Sequence, residues 1–390
     1  RPSARSSSKI KQKTTQCSAM AIVFDGYSRV YPASYYEDPS LTEFFYRIGL
    51  SLGEFAFNST KYPHDYAFTL RMLRSWRLVD VGGAVLLAML FTALRYVISV
   101  WPVANWLQIQ PASKLKWPES IWKFIAYSGL WLYSLYVVLL SGRYDFFHNP
   151  VDILRGIIFD ENYLEKPLPS DIYWMYALQL GFYLHSVYAT LFMDAWRKDS
   201  IMMLFHHGLT IFLLEFSLLM KYYKTGALVL FLHDLSDIIL EFTKINVYLK
   251  DRGKKLFLLN EWLANIGFVM FAFSWAWFRL YWFPLKVLYP SHWSVYLYHQ
   301  GRDPKMFVFF NSMLFALQIL HIYWFYFIVL LLVRVATGTQ REVEDTREYE
   351  EAERHRRLNG HQESPGVDDA SQDGTVDSAA TSIRHRTNKD

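Results

Sequence analysis

Seven apolar stretches, each about as long as a membrane-crossing helix, constrain this sequence more than any other feature. A helix needs about 20 predominantly apolar residues to cross a hydrocarbon core about 30 Å thick. Within lipid, a helix also satisfies its own backbone hydrogen bonds. The stretches are residues 79–100, 121–140, 171–193, 201–220, 225–248, 261–283 and 306–335. They predict an all-α, polytopic membrane protein with about seven transmembrane helices.

Composition narrows the function classes. Of the 390 residues, 52% are hydrophobic and 18% are aromatic, which exceeds the content of an ordinary soluble domain. A net charge of +4, spread along the chain, does not form the basic patch of a nucleic-acid-binding protein. The single cysteine, Cys17, permits neither an intrachain disulfide nor a thiolate metal cluster. We therefore expect membrane lipid as a partner and no nucleic acid.

The sequence divides into three regions. Residues 1–78 are polar or amphipathic, residues 79–335 form the transmembrane domain, and residues 336–390 are charged and predicted to be a disordered tail. Within the first region, residues 41–57 predict an amphipathic helix, either lying on the membrane surface or packed as an ordinary helix. The stretch before Met20 has no apolar run, so we expect no cleavable signal peptide.

The orientation in the membrane depends on a weak signal. An odd number of spans puts the two termini on opposite sides, and the Lys and Arg residues divide about equally between the sides, so they do not decide it. Asn58 begins an Asn-Ser-Thr sequon, which is glycosylated only on the lumenal side. Asn58 is therefore a candidate glycosylation site, and it favours a lumenal N-terminus.

The fifth stretch carries a polar stripe. At about 100° per residue, its polar side chains fall within an arc of about 100° on one helical face. These residues are His233, Asp234, Asp237, Glu241 and Lys244. Each charge near the bilayer centre costs about 3 kcal/mol, so four charges facing lipid would cost on the order of 10 kcal/mol. The stripe is predicted to face the protein interior or a wet cavity.

The fourth stretch supplies two more histidines, His206 and His207, with Thr210 on the same face as His206. A short turn joins the fourth and fifth stretches, so the two helices are predicted to be antiparallel neighbours. Their imidazoles and carboxylates can then meet in one pocket, which suits acyl transfer because a carboxylate orients an imidazole that attacks or accepts a proton. A structural network between helices is the alternative.

Two further interpretations concern the remaining polar residues. For the isolated ones we expect interhelical pairing or snorkelling instead of chemistry; they are Asp80, Arg95, His185, Glu215, Arg279 and His321. The 12 histidines include no H-x-x-H-H or H-x-x-x-H box, so we predict no metal. Zinc held by His206, His233 and Asp237 stays open as an alternative.

Several motifs resemble those of a known family. His206-His207 followed by His233-Asp234-Leu-Ser-Asp237 is similar to the Lag1 motif of the ceramide synthases. The resemblance covers about residues 80–350, and residues 240–248 are most similar to the type 1 members. It also includes Lys116-Trp-Pro-Glu-Ser-Ile-Trp-Lys-Phe124, Tyr188-Ala-Thr-Leu-Phe-Met-Asp-Ala-Trp-Arg-Lys-Asp199 and Trp275-Ala-Trp-Phe-Arg-Leu-Tyr-Trp-Phe-Pro284.

The resemblance implies an endoplasmic reticulum enzyme with a TLC-type helix bundle. Such an enzyme N-acylates sphinganine or sphingosine with acyl-CoA, and a type 1 member is expected to use stearoyl-CoA. The resemblance implies no cofactor or metal, a lumenal N-terminus and a cytosolic C-terminus. The essential family positions correspond to His206, His207, His233, Asp234 and Asp237.

Two departures from the family pattern matter. The tail stretch 345–351 has no Ser where the family often carries a phosphorylation motif. The loop at residues 285–304, which is associated with acyl-chain choice in the family, belongs to a class of structure that varies between relatives. Regulation by the tail and the length of the acyl chain are therefore less securely implied than the reaction.

The mechanism expected from these residues begins with attack of one histidine on the thioester, with His206 slightly preferred over His207. Asp234 or Asp237 would orient that imidazole, and His233 or a carboxylate would deprotonate the ammonium of the base. Direct attack by the amine, with histidine as general base only, is the alternative.

The candidate binding residues follow from the same scheme. Thr210 would contact substrate, and the CoA nucleotide would lie near cytosolic basic residues, namely Arg197, Lys198, Lys250, Arg252, Lys254 and Lys255. A non-enzymatic lipid-binding protein and a transporter are the other function classes. The sequence leaves open whether the chain is a monomer, a homodimer or a heterodimer.

Overall fold

The computed structural model describes the membrane-embedded part of the chain most fully. The described ranges are residues 22–25, 29–32, 78–100, 103–114, 116–154, 163–194, 196–250, 257–292 and 305–337, with residue 294 and seven single residues between 42 and 70. Asn58, the basic residues 252–255 and the tail from residue 338 lie outside them. Of the predicted amphipathic helix at 41–57, six residues are described, and all six are helical.

A short hairpin precedes the helices. Its strands, β1 at Ile22–Asp25 and β2 at Arg29–Pro32, are antiparallel, with Ile22 opposite Pro32. Both strands are rich in β-branched and aromatic residues, which favour extended structure. The predicted all-α class is confirmed for the membrane part, and the hairpin was not predicted.

Seven long helices correspond to the seven predicted segments among the described residues. They are α1 at Leu78–Val100, α2 at Trp117–Leu135, α3 at Ser170–Phe192, α4 at Ser200–Leu219, α5 at Tyr223–Lys250, α6 at Phe257–Ser274 and α7 at Phe307–Ala336. A π-helical turn, Tyr136–Leu140, extends α2, and the π-helical segments Trp275–Trp282 and Pro284–Leu288 extend α6. Shorter helices at Val103–Trp106, Pro111–Lys114 and Pro150–Leu154 lie in the connections.

Within the described ranges, five helical segments are long and apolar enough to cross a membrane, judged by length and composition alone. They are Val81–Trp106, Trp117–Leu140, Ser200–Leu219, Phe257–His292 and Phe307–Ala336. The helices α3 and α5 have crossing length, but polar residues lower their hydropathy. Many of those polar residues are buried, among them His185 on α3 and Asp234 on α5. The polar faces of the two helices therefore point into the bundle, where polar side chains find protein partners.

The outer surface of the bundle is apolar. Leu86 of α1, Phe273 of α6 and Ile319 of α7 each expose about two-thirds of their surface, at 65%, 65% and 66%. Such exposure is unfavourable in water and ordinary in lipid. The chain is therefore a multi-pass membrane protein.

Helix α5 lies at the centre of the bundle, packed against α2 and α6, while α3 packs against α1 and α4. On α5, the apolar residues Leu228 and Leu232 are fully buried. Only three residues separate α4 from α5, and Lys221 among them adopts a left-handed conformation with φ of 62°. This tight reversal makes α4 and α5 antiparallel neighbours, as predicted.

Candidate active site

The polar stripe of α5 faces the interior of the bundle, which confirms its predicted direction. His233, Asp234 and Glu241 expose 4%, 0% and 3% of their surface. The stripe does not form a single cluster, however. His233, Asp234 and Asp237 contact three different helices or helical segments, through His321, Gln179 and Arg279, whereas Glu241 and Lys244 pair with each other, 2.9 Å apart.

His233 has a protein partner at each ring nitrogen. Its Nδ1 lies 2.6 Å from the carbonyl oxygen of Val229, and its Nε2 lies 2.6 Å from Nε2 of His321 on α7. A carbonyl only accepts, so Nδ1 of His233 carries a proton. In the neutral pair, Nε2–H of His321 then donates to Nε2 of His233. Neither nitrogen of His233 is left for a substrate in this arrangement.

Asp237 forms a partly buried ion pair with Arg279, with 2.7 Å between Oδ2 and Nη2. The same Nη2 donates to the carbonyl oxygen of His233 at 2.9 Å. The guanidinium carbon lies 3.9 Å from the centroid of the Trp275 ring, which is a cation–π contact. Arg279 thus neutralises Asp237 inside the membrane and joins α6 to α5. The interhelical pairing predicted for Arg279 and His321 is confirmed.

Asp234 is fully buried beside α3. Its Oδ2 accepts a hydrogen bond from Nε2 of Gln179 at 2.6 Å. Its Oδ1 has no hydrogen-bond partner among the described residues. A buried oxygen of this kind is available to a substrate proton or to an ordered water.

His206 and His207 differ in their surroundings. The His206 ring meets Trp324 of α7 edge-on at 5.4 Å between centroids, and the His207 ring meets Tyr183 of α3 at 5.9 Å. Nδ1 of each is buried and has no hydrogen-bond partner among the described residues. His206 lines a cavity, whereas His207 does not line it.

The cavity lies between α3, α4, α5 and α7, and the volume open to the centre of a water molecule is about 50 Å³. At one end it is lined by Tyr183, His206, Thr210 and His233. Apolar residues line its middle, including Leu213, Leu214, Val229, Leu230, Leu314 and Leu317, and its far end contains Ser291, Ser294 and Asn311. Along α4 the lining extends from His206 to Ser217, a distance of about 16 Å at the rise of an α-helix.

Thr210, predicted to contact substrate, lies at the histidine end of this cavity. Its hydroxyl donates to the carbonyl oxygen of His206 at 2.9 Å. The hydroxyl hydrogen is therefore already used within α4, so Thr210 can offer a substrate only its oxygen lone pairs or its methyl group.

A second polar cluster joins α1, α2 and the connection between α3 and α4. Lys123 lies 2.6 Å from Glu119 and 3.1 Å from Asp194, and Asp194 also pairs with Arg95. Arg197 lies 3.3 Å from Glu119. Burial raises the pKa of Asp194, but Lys123 and Arg95 outweigh burial, and the net pKa is below the ordinary value.

This ionic cluster bears on the predicted CoA contacts. The Arg197 guanidinium is engaged with Glu119, so it would have to be shared with any substrate phosphate. Lys198 follows it directly, at the start of α4. The role of both residues in binding CoA stays a prediction.

Four residues of the site were not predicted from the sequence. His321 and Arg279 were recognised as polar residues within apolar segments, but a sequence does not show which residues they pair with. Gln179 and Tyr183 lie among many aromatic and polar residues of α3 and gave no signal. Among the described residues, no three His, Cys, Asp or Glu side chains are arranged to hold a metal ion.

Comparison with known proteins agrees with this architecture. Residues 116–330 match the model of the TLC domain, which defines a class of membrane proteins. The chain is 44% identical to ceramide synthase 1 of Homo sapiens over 267 residues, covering 67% of this chain and 74% of that protein. It is 44% identical to ceramide synthase 1 of Mus musculus over 274 residues, covering 69% and 76%.

A plant relative is more distant. Ceramide synthase LOH2 of Arabidopsis thaliana is 32% identical over 242 residues, covering 60% of this chain and 75% of that protein. The chain therefore belongs to the TLC-domain family and, within it, to the type 1 ceramide synthases.

Proposed function

We propose that the chain transfers a fatty acyl group from acyl-CoA to the amine of sphinganine or sphingosine, with stearoyl-CoA as the expected donor. One observation carries the proposal: His206 lines one end of an apolar cavity that extends about 16 Å along α4 inside the bundle. An imidazole at the end of a leucine-lined cavity suits attack on a thioester. The names of the relatives agree with this reaction.

His206 is the better nucleophile of the three histidines of the motif. Both nitrogens of His233 have protein partners, and His207 does not line the cavity. For Nε2 of His206 to attack in the neutral ring, Nδ1 carries the proton. His207 then packs between His206 and Tyr183 and supports the position of the attacking ring.

The reaction proceeds in two acyl transfers. The Nε2 lone pair forms a bond to the thioester carbon, the carbon–sulfur bond breaks, and CoA leaves as a thiolate. The neutral amine then forms a bond to the same carbon, and the carbon–imidazole bond breaks. The substrate ammonium loses two protons in all: one neutralises the thiolate, and one is released per turnover. A base in the pocket therefore has to accept a proton from the ammonium.

A carboxylate is better suited to that task than His233. Asp234 has one oxygen without a partner among the described residues, but it is 0% exposed. The Asp237 side chain is 22% exposed, and Arg279 engages its Oδ2. We propose that Asp237, which lies one helical turn beyond the cavity-lining His233 and does not itself line the cavity, accepts the ammonium proton. Asp234, which accepts a hydrogen bond from Gln179, would orient the polar end of the pocket.

The cavity would hold the acyl chain. Its middle is lined by leucine and valine side chains, so burying methylene groups there is favourable by about 0.8 kcal/mol per group. A dry pocket also protects an acyl-imidazole from hydrolysis. The CoA nucleotide would remain at the cytosolic surface, near Lys198 and the ionic cluster around Arg197.

The proposed setting is the endoplasmic reticulum membrane, with the N-terminus in the lumen and the C-terminus in the cytosol. In this orientation α4 begins at the cytosolic side, so His206 is reached from the side that contains acyl-CoA. The far end of the cavity then lies toward the lumen. Asn58 would be available for glycosylation. Whether the chain works alone, as a homodimer or as a heterodimer is left open.

The test is ceramide formation in microsomes from cells that lack their own synthase, with sphinganine and a panel of acyl-CoAs. Wild type should form ceramide, with the greatest rate for stearoyl-CoA, and His206→Ala and Asp237→Asn should lose activity. His148→Ala, at an exposed histidine in the connection after α2, is the matched control and should retain activity. A well-expressed wild-type chain without product would favour a non-enzymatic lipid-binding protein.

Intact-mass analysis separates the covalent mechanism from direct attack by the amine. Incubation with acyl-CoA alone should add the mass of one acyl group to wild type and none to His206→Ala. If wild type turns over but never carries this mass, the amine attacks the thioester directly.

A further inference from the structure

Tyr183 has a hydroxyl that no other part of the site uses. The residue lies on α3 and is 5% exposed, yet its hydroxyl makes no hydrogen bond to any described residue. Tyr183 lines the cavity at the end that contains His206 and His233. An unpaired phenol in a low-dielectric interior is costly unless a ligand completes its hydrogen bond.

Two other tyrosines beside the cavity have hydroxyl partners. The Tyr176 hydroxyl, two turns earlier on α3, lies 3.0 Å from Oγ of Ser217 and donates to the carbonyl oxygen of Tyr223 at 3.0 Å. Tyr222, at the far end of the cavity, donates to the carbonyl oxygen of Lys305 at 2.8 Å. Tyr183 differs because it lines the cavity while its hydroxyl makes no hydrogen bond to a described residue.

The other groups at this end of the cavity cannot supply the same donor. The Thr210 hydroxyl already donates to His206, and His233 uses Nδ1–H on Val229. His206 is itself the proposed attacking group. Nδ1–H of His206 has no partner either, but it is buried, so among the described residues that line this end we take the Tyr183 hydroxyl as the donor for a substrate.

We propose that the Tyr183 hydroxyl donates a hydrogen bond to the carbonyl oxygen of the acyl thioester and stabilises the oxyanion of each tetrahedral intermediate. This inference rests on the proposed function. When the nitrogen lone pair bonds to the carbonyl carbon, the π electrons move to oxygen, and Tyr183 O–H faces that charge. When the leaving group departs, the pair returns to the carbonyl. Tyr183 keeps its proton throughout.

A preorganised neutral donor of this kind has a large effect in a water-excluded site. The ring of Tyr183 also fixes the donor, because it packs edge-on against His207, the neighbour of the proposed nucleophile. The attacking nitrogen and the oxyanion donor are therefore held by adjacent contacts on α4 and α3. This arrangement makes Tyr183 a catalytic residue in the same pocket.

The test is Tyr183→Phe, which removes only the hydroxyl and keeps the ring against His207. We expect kcat to fall by about 10²–10³-fold, with KM for acyl-CoA nearly unchanged, because the bond strengthens in the transition state. Tyr188→Phe, on the same helix and 46% exposed to lipid, is the matched control and should keep wild-type kinetics. Tyr176→Phe should lower thermal stability and leave kcat near wild type.

A spectroscopic measurement reports the same hydrogen bond directly. In the acyl-enzyme made with carbonyl-labelled acyl-CoA, the carbonyl stretch should shift to higher frequency in Tyr183→Phe than in wild type. If Tyr183→Phe does not fold, 3-fluorotyrosine at position 183 changes only the acidity of the phenol, and it should change kcat. An unchanged kcat with 3-fluorotyrosine overturns the assignment.

The outcomes separate this inference from the proposed function. Wild type that makes ceramide, together with Tyr183→Phe at full kcat, overturns the role of Tyr183 and leaves the function intact. A rise in KM for acyl-CoA at unchanged kcat also overturns it, since Tyr183 would then bind only the ground state. Wild type without activity removes the proposed function and this inference together.

Discussion

Nε2 of His233 on α5 lies 2.6 Å from Nε2 of His321 on α7, while Nδ1 of His233 is fixed by the carbonyl oxygen of Val229. The carbonyl sets the direction of both hydrogen bonds, since it can only accept. His321 is therefore a donor to His233 in the neutral pair. The relationship explains why a histidine of the recognised motif can be needed without contacting a substrate.

Replacing His321 tests this hydrogen bond. His321→Leu leaves Nε2 of His233 buried without a donor, which should destabilise the fold by about 1–3 kcal/mol and lower activity. His321→Gln offers an amide N–H close to the position of Nε2–H and should retain most of both. Thermal melting in detergent and ceramide formation measure the two effects. Equal losses in the two variants would show that the donated hydrogen bond is not the important property.

Breaking the Arg279–Asp237 pair should destabilise the fold because Arg279 is buried and the Asp237 side chain is only 22% exposed. Arg279→Gln leaves the Asp237 carboxylate without its partner, at a cost below the value of about 3–5 kcal/mol for a fully buried pair. In the double variant Arg279→Gln/Asp237→Asn the unpaired charge is gone, so its stability should exceed that of Arg279→Gln alone. A double-mutant cycle by thermal melting gives the coupling. Purely additive effects would mean that the two residues do not interact.

Asp194 should make stability depend on pH. Burial raises its pKa, but Lys123 and Arg95 lower it further, so the net pKa in the folded chain is below the ordinary value. The ionised carboxylate thus stabilises the fold above about pH 3.9, and this contribution is lost as pH falls through the folded pKa. The difference in melting temperature between wild type and Asp194→Asn should shrink from pH 7 to pH 3. A constant difference would contradict the assignment.

Gly226 is needed for close packing of α5 against α3. A Cβ at this position would overlap the hydroxyl of Tyr176 and lie 3.1 Å from Oγ of Ser217. Gly226→Ala should therefore destabilise the fold, and adding Tyr176→Phe should recover part of the loss. Gly129→Ala on α2, where no atom lies within 4 Å of the new Cβ, should be neutral or stabilising by about 0.5–1 kcal/mol. The test compares the melting temperatures of wild type, Gly226→Ala, Gly226→Ala/Tyr176→Phe and Gly129→Ala.

The membrane architecture could be predicted because it depends on large free energies that act within short stretches of the sequence. The cost of placing charge in lipid required the His233 to Lys244 stripe to face inward, and the three-residue link required α4 and α5 to be antiparallel. Helix α3 was also predicted from its length, although His185 and Gln179 lower its hydropathy. The β1–β2 hairpin was missed because it is short and lies in a region read as polar.

The partners within the site could not be predicted, because they depend on how each helix is rotated and how deep it lies. The sequence does not show that His321 reaches His233, or that Arg279 reaches Asp237. It also gave no reason to separate Glu241 and Lys244 from the histidines, since all lie on one face of α5. The assignments to His206, His207, His233, Asp234 and Asp237 remain predictions about chemistry.

The π-helical segment Trp275–Trp282 makes the site sensitive to chain length. A π-turn contains one residue more than an α-turn, and it sets the direction in which Arg279 points. Deleting one residue before Arg279 would rotate its side chain by about 100° around the helix, away from Asp237 and toward lipid. Among related chains, this segment should tolerate exchanges of aromatic residues much better than insertions or deletions, so a gap here in an alignment would mark a chain in which this ion pair is absent.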